Sequence, residues 1–383
     1  MARWLLPEGI SDVLPAEARR VEELRRALLD LYRSFGYELV LPPLIEYLDS
    51  LLTGTGHDLD LRTFKLVDQL SGRQLGLRAD ITPQVARIDA HILNRTGVVR
   101  LCYAASVLHT RPAHPLATRE PMQVGAELYG HAGLTADAEV QALAVQSLRR
   151  ADVGRAFVDL AHTGIVRSIL AEPDAAAVSD DILAALAGKD VPSLRAAAAA
   201  LPAATTDALL ALTELHGGAS VVDDARKRLP RMPGVVRALD DLAWLIERST
   251  ADEVSVDLSD LHGYRYYTGV NFAAYDGRAS GALLRGGRYD DIGRAFGRAR
   301  PATGFSIDLR DLARLNGGGR FTAIRAPAAD DPALQAAIEQ LRARGEVVVR
   351  ALDAEEDGPR VEGVERELRL VGGRWLVAPI EQS

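Results

Sequence analysis

The strongest constraint on how this chain folds is an interruption. A block rich in Ala and Leu, at about residues 165–250, stands between two stretches that read as strands. The block contains the run Ala196 to Ala200 and is punctuated at Pro192, Pro202, Gly217 and Gly218, the pattern of successive short helices. Strand-like segments precede it near 100–109, 121–130 and 157–162, and resume after it in EVSVDLSDL, YRYYTGVNFAAY and ASGALLRGG. A sheet drawing on both sides is therefore discontinuous in sequence. The expectation is an α+β domain made of residues 1–165 and 251–316, an all-helical insertion at 166–250, and a small C-terminal α/β unit at 320–383.

Local patterns fill in this frame. Val21, Leu24, Leu28, Leu31, Tyr32 and Phe35 recur at helical spacing and predict an amphipathic helix closed by Gly36. A strand over 37–41 follows and ends at Pro42 and Pro43, which donate nothing to a ladder. FKLVDQ and RQLGLRA around Ser71 and Gly72 predict a hairpin whose second strand carries Arg78, Asp80 and Thr82. A helix is expected at 135–150, with Asp137 and Glu139 in the first turn where the dipole favours carboxylates. Past Gly317, Gly318 and Gly319, the C-terminal unit reads as a strand at 321–325, a helix opened by Asp331 and Pro332 and closed by Gly345, a strand at 346–350, and a hairpin turning at Gly372 and Gly373.

Composition excludes several function classes. Among 383 residues, 48% are hydrophobic and 26% charged, yet no segment reaches the roughly 20 unbroken apolar residues that span a bilayer. The N-terminal stretch lacks the apolar core of a secretory signal, so a cytoplasmic location is expected. A net charge of -8 gives no general attraction for a polyanion, and no nucleic-acid partner is expected. The single cysteine, Cys102, lies in an apolar run and reads as a buried, inert thiol. His109, His114 and His262 lack the paired short gaps of zinc motifs, so no metal or other cofactor is expected.

Seven segments fall in an order that resembles the class II aminoacyl-tRNA synthetases, histidyl-tRNA synthetase in particular. They are PEGISDVLP near the start, the helix and strand ending at Pro42 and Pro43, LRADIT at 77–82, QVGAELYG at 123–130, GYRYYTG at 263–269, RGGRYDDI at 285–292 and GFSIDL at 304–309. The resemblance implies an antiparallel sheet flanked by helices, and a dimer built on the helix, strand and proline element. It also implies a histidine pocket: Asp80, Thr82 and Gln123 at the α-amino group, Glu127 and Tyr267 at the imidazole, and Tyr289 in the wall. A carboxylate with a phenol suits the two ring nitrogens of an imidazole.

The departures from the synthetase pattern are chemically specific. Adenylate formation needs guanidinium groups around the phosphates. Where synthetases carry Arg-x-Glu in motif 2, this chain has His109, Thr110 and Arg111; where they read RGLDYY it has HGYRYY, with His262 at the arginine position. The motif 3 arginine position falls on Asp311. The two arginines replaced by His109 and His262 also hold the amino acid's carboxylate in the family, so another cation is required: the two histidines in protonated form, or Arg265, or Arg285.

This combination is similar to the regulatory subunits of ATP phosphoribosyltransferase. That resemblance implies a chain that is not itself an enzyme. It would act as a homodimer within a hetero-oligomer, partnered by the short-form catalytic subunit, with L-histidine as effector. A degenerate enzyme that still activates histidine, and a free-standing histidine sensor, are the other readings. At the residue level, Glu127 and Tyr267 also fit a ligand-free buried pair, and Asp80 and Thr82 also fit a helix cap.

Overall fold

The computed structural model describes residues 4–54, 57–112, 117–171, 175, 177–279, 281–315, 322–352 and 363–380. His114 and the Gly317 to Gly319 linker lie outside them. The chain divides into two compact units, residues 1–13 with 21–317, and residues 14–20 with 318–383.

Helix α1 (Pro15–Ser34), which belongs to the first unit from Val21 onward, buries Val21, Leu24, Leu28 and Tyr32 at the expected spacing. Gly36 then takes φ +83°, a region that costs a glycine nothing. Strand β1 (Glu38–Leu39) is shorter than the expected 37–41. The Pro42 and Pro43 carbonyls accept side-chain bonds from Arg78 (2.6 Å) and Gln84 (2.8 Å) instead of joining a ladder. Next come β2 (Ile45–Tyr47), α2 (Leu48–Leu51), α3 (His57–Arg62), β3 (Phe64–Val67) and β4 (Gln74–Leu77); the three strands form a small antiparallel sheet in the order β2-β4-β3. The hairpin is as expected, but β4 stops at Leu77, so Arg78 and Asp80 sit in the following turn and Thr82 opens α4 (Thr82–Arg87).

Then follow β5 (Val99–Ser106), β6 (Met122–Tyr129), α5 (Leu134–Arg150) and β7 (Phe157–His162). The insertion holds α6 (Thr163–Ile169), α7 (Ser179–Ala187), α8 (Val191–Ala197), α9 (Ala203–Leu212), β8 (His216–Gly218), α10 (Val221–Arg228) and α11 (Pro233–Arg248). It is not all-helical: β8 pairs with β9 (Glu253–Asp257) and extends the main sheet. The last strands of this sheet are β10 (Val270–Tyr275), β11 (Leu284–Arg288) and β12 (Ala302–Asp308), followed by α12 (Leu309–Leu315). The aromatic run before β10 is a turn rather than a strand. Gly263 takes φ +70°, and its carbonyl accepts from the amides of Tyr266 and Tyr267, both at 2.8 Å.

The main sheet has the order β1-β5-β6-β12-β11-β10-β7-β9-β8. From β5 to β7 every pairing is antiparallel; β1 with β5 and β7 with β9 are parallel. Alternation along the strands divides the sheet into two faces. Val124, Ala126 and Leu128 of β6, Phe305 and Ile307 of β12, and Phe272 and Ala274 of β10 join α1, α5 and the insertion helices in one large core. Each fully buried Leu or Phe there contributes roughly 1.5–3 kcal/mol, which makes this face the main source of stability. The opposite face carries the candidate site. Arg288 anchors the end of β11 through a buried ion pair to Asp137 (2.6 Å). Of the two carboxylates expected in the first turn of α5 only Asp137 lies there; it pairs with Arg288, and Glu139, one turn on, pairs with Arg100 at 2.7 Å.

The second unit has a sheet in the order β14-β13-β15-β16, with β13 (Ala323–Ala326), α13 (Pro332–Ala343), β14 (Val348–Arg350), β15 (Val364–Val371) and β16 (Arg374–Pro379). Asp331 caps α13 by accepting from the Ala333 amide at 2.8 Å. Gly372 and Gly373 both take positive φ, as a two-residue hairpin turn demands.

Candidate functional site

The site face of the sheet follows from register. Glu127 pairs with Gly304 and Gly304 with Gly287; Gly125 pairs with Ser306 and Ser306 with Arg285; Gln123 pairs with Asp308. Paired residues project to the same side, so these rows put Gln123, Glu127, Arg285, Ser306 and Asp308 into one cavity of about 1780 Å³. Glycine makes room for the polar groups. A Cβ at position 304 would meet Glu127 Oε2 at 1.6 Å, and one at position 125 would meet the Tyr103 hydroxyl at 2.5 Å.

Glu127 is the centre of this arrangement, with 1% of its surface exposed. Its Oε1 accepts from Tyr103 (3.0 Å) and from Thr82 Oγ1 (3.1 Å), while Tyr289 donates to Oε2. Burial pushes its carboxyl up to about 8, against the pull of those hydroxyl donors. An imidazole titrates near 6.5, so at neutral pH such a carboxyl can donate to it or exchange a proton with it. Tyrosines enclose the space: Tyr266 stacks on Tyr289 at 5.0 Å between centroids, and Tyr267 meets Tyr266 edge-on at 5.3 Å. This is a polar cradle with aromatic walls.

The end of the cavity expected to take an α-amino group is assembled from the turn after β4. Asp80 Oδ1 accepts from the Thr82 amide (3.1 Å) and from Gln123 Nε2 (2.9 Å), and Gln123 Oε1 accepts from the Ile81 amide (2.9 Å). Asp80 thus closes the first turn of α4 and lines the cavity at the same time. The six residues expected for a histidine pocket, Asp80, Thr82, Gln123, Glu127, Tyr267 and Tyr289, all line the one cavity. Tyr289 lies deeper than a wall residue because its hydroxyl is committed to Glu127. Sequence reading missed Tyr103 and Tyr266, which are visible only once strand register and the Gly263 turn are known.

The degenerate positions are placed as follows. His109 is buried, with Nε2 2.9 Å from the Ala79 carbonyl and both ring nitrogens 3.2 Å from Arg62 Nη2. Burial first and Arg62 second pull its pKa down to about 4. Burial followed by Arg285 also lowers His262. Both shifts run against the expectation that these histidines, protonated, replace the missing arginines. Arg265 is engaged with Asp180 at 2.8 Å, whereas Arg285 lines the cavity beside His262 and Tyr275. Arg111 is exposed.

At the motif 3 end, Asp308 and Asp311 both line the cavity. Burial and the neighbouring Asp311 push Asp308 up to about 7. Arg310 turns away, toward Ser11 (3.1 Å), the Glu120 carbonyl (3.2 Å) and Thr118 (3.4 Å). Asp311 is paired with Arg314 at 3.7 Å, both partly exposed at the cavity edge. Cys102 is buried as expected, its thiol pushed up to about 12 by desolvation. Among the described residues there is no cluster of His, Cys, Asp and Glu suited to a metal, and no helix long and apolar enough to cross a membrane.

Comparison with known proteins identifies relatives along the whole chain. A family model for histidyl-tRNA synthetase matches residues 9–312, and one for the ATP phosphoribosyltransferase subunit HisZ C-terminal domain matches residues 321–378. The ATP phosphoribosyltransferase regulatory subunit of Ralstonia pickettii (strain 12J) is 57% identical over 99% of both chains. That of Ralstonia nicotianae is 56% identical over 100% of both. A Bacillus halodurans structure described as an ATP phosphoribosyltransferase regulatory subunit/histidyl-tRNA synthetase superposes with a TM-score of 0.81 at 28% identity, covering 94% of this chain and 95% of that one. Histidyl-tRNA synthetase from Nostoc sp. PCC 7120 shares the fold at 18% identity, with a TM-score of 0.79 over 99% and 97% of the two chains.

Proposed function

Because this chain belongs to the family of ATP phosphoribosyltransferase regulatory subunits, built on the histidyl-tRNA synthetase fold, we propose that it serves a separate catalytic subunit and carries out no adenylation itself. It docks on the short-form catalytic subunit in the cytoplasm and passes a histidine signal to it. The observation that supports this reading best is the divided character of its cavity. One end keeps Glu127, Thr82, Asp80 and Gln123 in a connected network fit for an amino acid with an imidazole. The other end presents Asp308 and Asp311 where a triphosphate would need cations.

A homodimer within the hetero-oligomer fits the edge position of β1 and the exposed apolar side chains Leu39, Leu41, Leu44 and Ile45 near it. Coupling between histidine and the catalytic subunit is reciprocal on thermodynamic grounds, so each alters the other's affinity. Mixing the purified chains tests the reading. Co-elution, a change in turnover and sensitivity to histidine are expected; separate elution with no change in rate refutes it. Histidine-dependent exchange of pyrophosphate into ATP by the lone chain would instead support a degenerate synthetase.

A further inference from the structure

The cavity holds contacts for an α-amino group and an imidazole, but positions 109 and 262 offer the carboxylate of a bound amino acid only neutral rings. We propose that Arg62, the last residue of α3, is the carboxylate anchor of this pocket, held in place by the ring of His109. The proposal rests on the reading above, that histidine occupies the cavity with its amino group at Asp80, Thr82 and Gln123.

The geometry is a short chain of contacts. The Ala79 carbonyl can only accept, so the His109 nitrogen 2.9 Å from it, Nε2, carries the ring proton. Arg62 Nη2 lies 3.2 Å from both Nδ1 and Nε2, which places the guanidinium against the face of that neutral ring. Ala79 immediately precedes Asp80, so the guanidinium stands at the amino end of the pocket, where the carboxylate of an α-amino acid must also lie. Arg62 itself is an exposed residue on the cavity lining. The end of its helix is fixed by Thr110, whose amide bonds the Arg62 carbonyl (3.0 Å) and whose hydroxyl bonds the Leu61 carbonyl (2.6 Å). The guanidinium fork has five N–H donors along its edges, and contact with the face of the His109 ring leaves an edge that can grip a planar carboxylate. The cation missing from position 109 is thereby supplied by a different residue at the same corner. The competing arginines are less well placed. Arg265 is paired with Asp180, and Arg285 lies on β11, two strands (roughly 9.5 Å) removed from β6.

Calorimetry of the full chain with L-histidine and with histidinol separates the parts, since histidinol keeps the amine and the imidazole but has no carboxylate. The wild type should prefer histidine by at least about tenfold. Arg62→Met should weaken histidine by about 10- to 100-fold, leave histidinol nearly unchanged, and so erase the preference; Arg62→Lys should restore part of it, keeping charge without the fork. Circular dichroism checks that each variant is folded. If Glu127→Gln weakens both ligands while Arg62→Met keeps the preference intact, the pocket stands and the Arg62 assignment falls. If Arg285→Gln rather than Arg62→Met erases the preference, the anchor is Arg285. If Glu127→Gln changes neither ligand, the pocket reading fails and takes this proposal with it.

Discussion

Replacing Glu127 with Gln gives a stability effect whose sign and size follow from the structure. In the folded chain this carboxyl titrates near 8 instead of its usual 4.5, because burial penalises the charged form. Between those values the folded state keeps a proton that the unfolded state releases, so stability falls as pH rises through the window and levels off above about 8. Each unit in the window costs about 1.4 kcal/mol, so between pH 5 and pH 7 the wild type should lose about 2–3 kcal/mol relative to the variant, whose amide does not titrate. Asp308 also titrates high, but it is present in both proteins and drops out of the comparison. Urea unfolding at pH 5, 6 and 7 for both proteins reads the effect directly. Parallel stability profiles would refute the reasoning, and would mean that the hydroxyls of Tyr103, Thr82 and Tyr289 hold the buried carboxyl ionised.

Other outcomes follow from single contacts. Gly304→Ala should abolish histidine binding in calorimetry and lower the melting temperature, because its Cβ would overlap Glu127 Oε2 and orphan the hydroxyls donating to it; normal binding would contradict the placement of Glu127. Arg288→Met should destabilise the main unit by about 3–5 kcal/mol by leaving Asp137 buried without its partner, and Asp137→Leu in the same chain should recover much of that loss in thermal melts. His109→Arg should not revive pyrophosphate exchange, since Asp311 still faces the cavity and His262 is still neutral; measurable exchange would show that the phosphate end is less disabled than its carboxylates imply.

Much of this was legible in the sequence because it rests on short-range physics. The period of α1, the Gly372–Gly373 turn and the alternation in QVGAELYG depend on neighbours within a few residues. The six expected pocket residues meet because strand pairing carries motif order into space. What escaped depends on pairings far apart in sequence. Strand β8 lies within an Ala-rich helical block, and nothing local in His216–Gly218 announces that β9 will recruit it. Tyr103 supports Glu127 only because its strand pairs with β6 in a register that places it opposite Gly125. Arg62 sits in a six-residue helix outside every recognisable motif, and its relation to His109 spans 47 positions. The protonation of His109 was misjudged for a related reason: a histidine replacing an arginine invites a cationic reading, but burial beside a guanidinium makes the charged ring costly.

The central claim is that an intact imidazole pocket in this chain reports histidine to a partner enzyme. Its most direct test is a histidine titration of phosphoribosyl transfer in the complex reconstituted with the short-form catalytic subunit, comparing wild type with Glu127→Gln and confirming assembly of both by size exclusion. Removing the pocket's carboxyl should raise the histidine concentration needed for half-inhibition by at least about tenfold, the equivalent of one buried hydrogen bond left poorly made. Identical inhibition curves for the two complexes would contradict the account and move histidine's site of action out of this cavity.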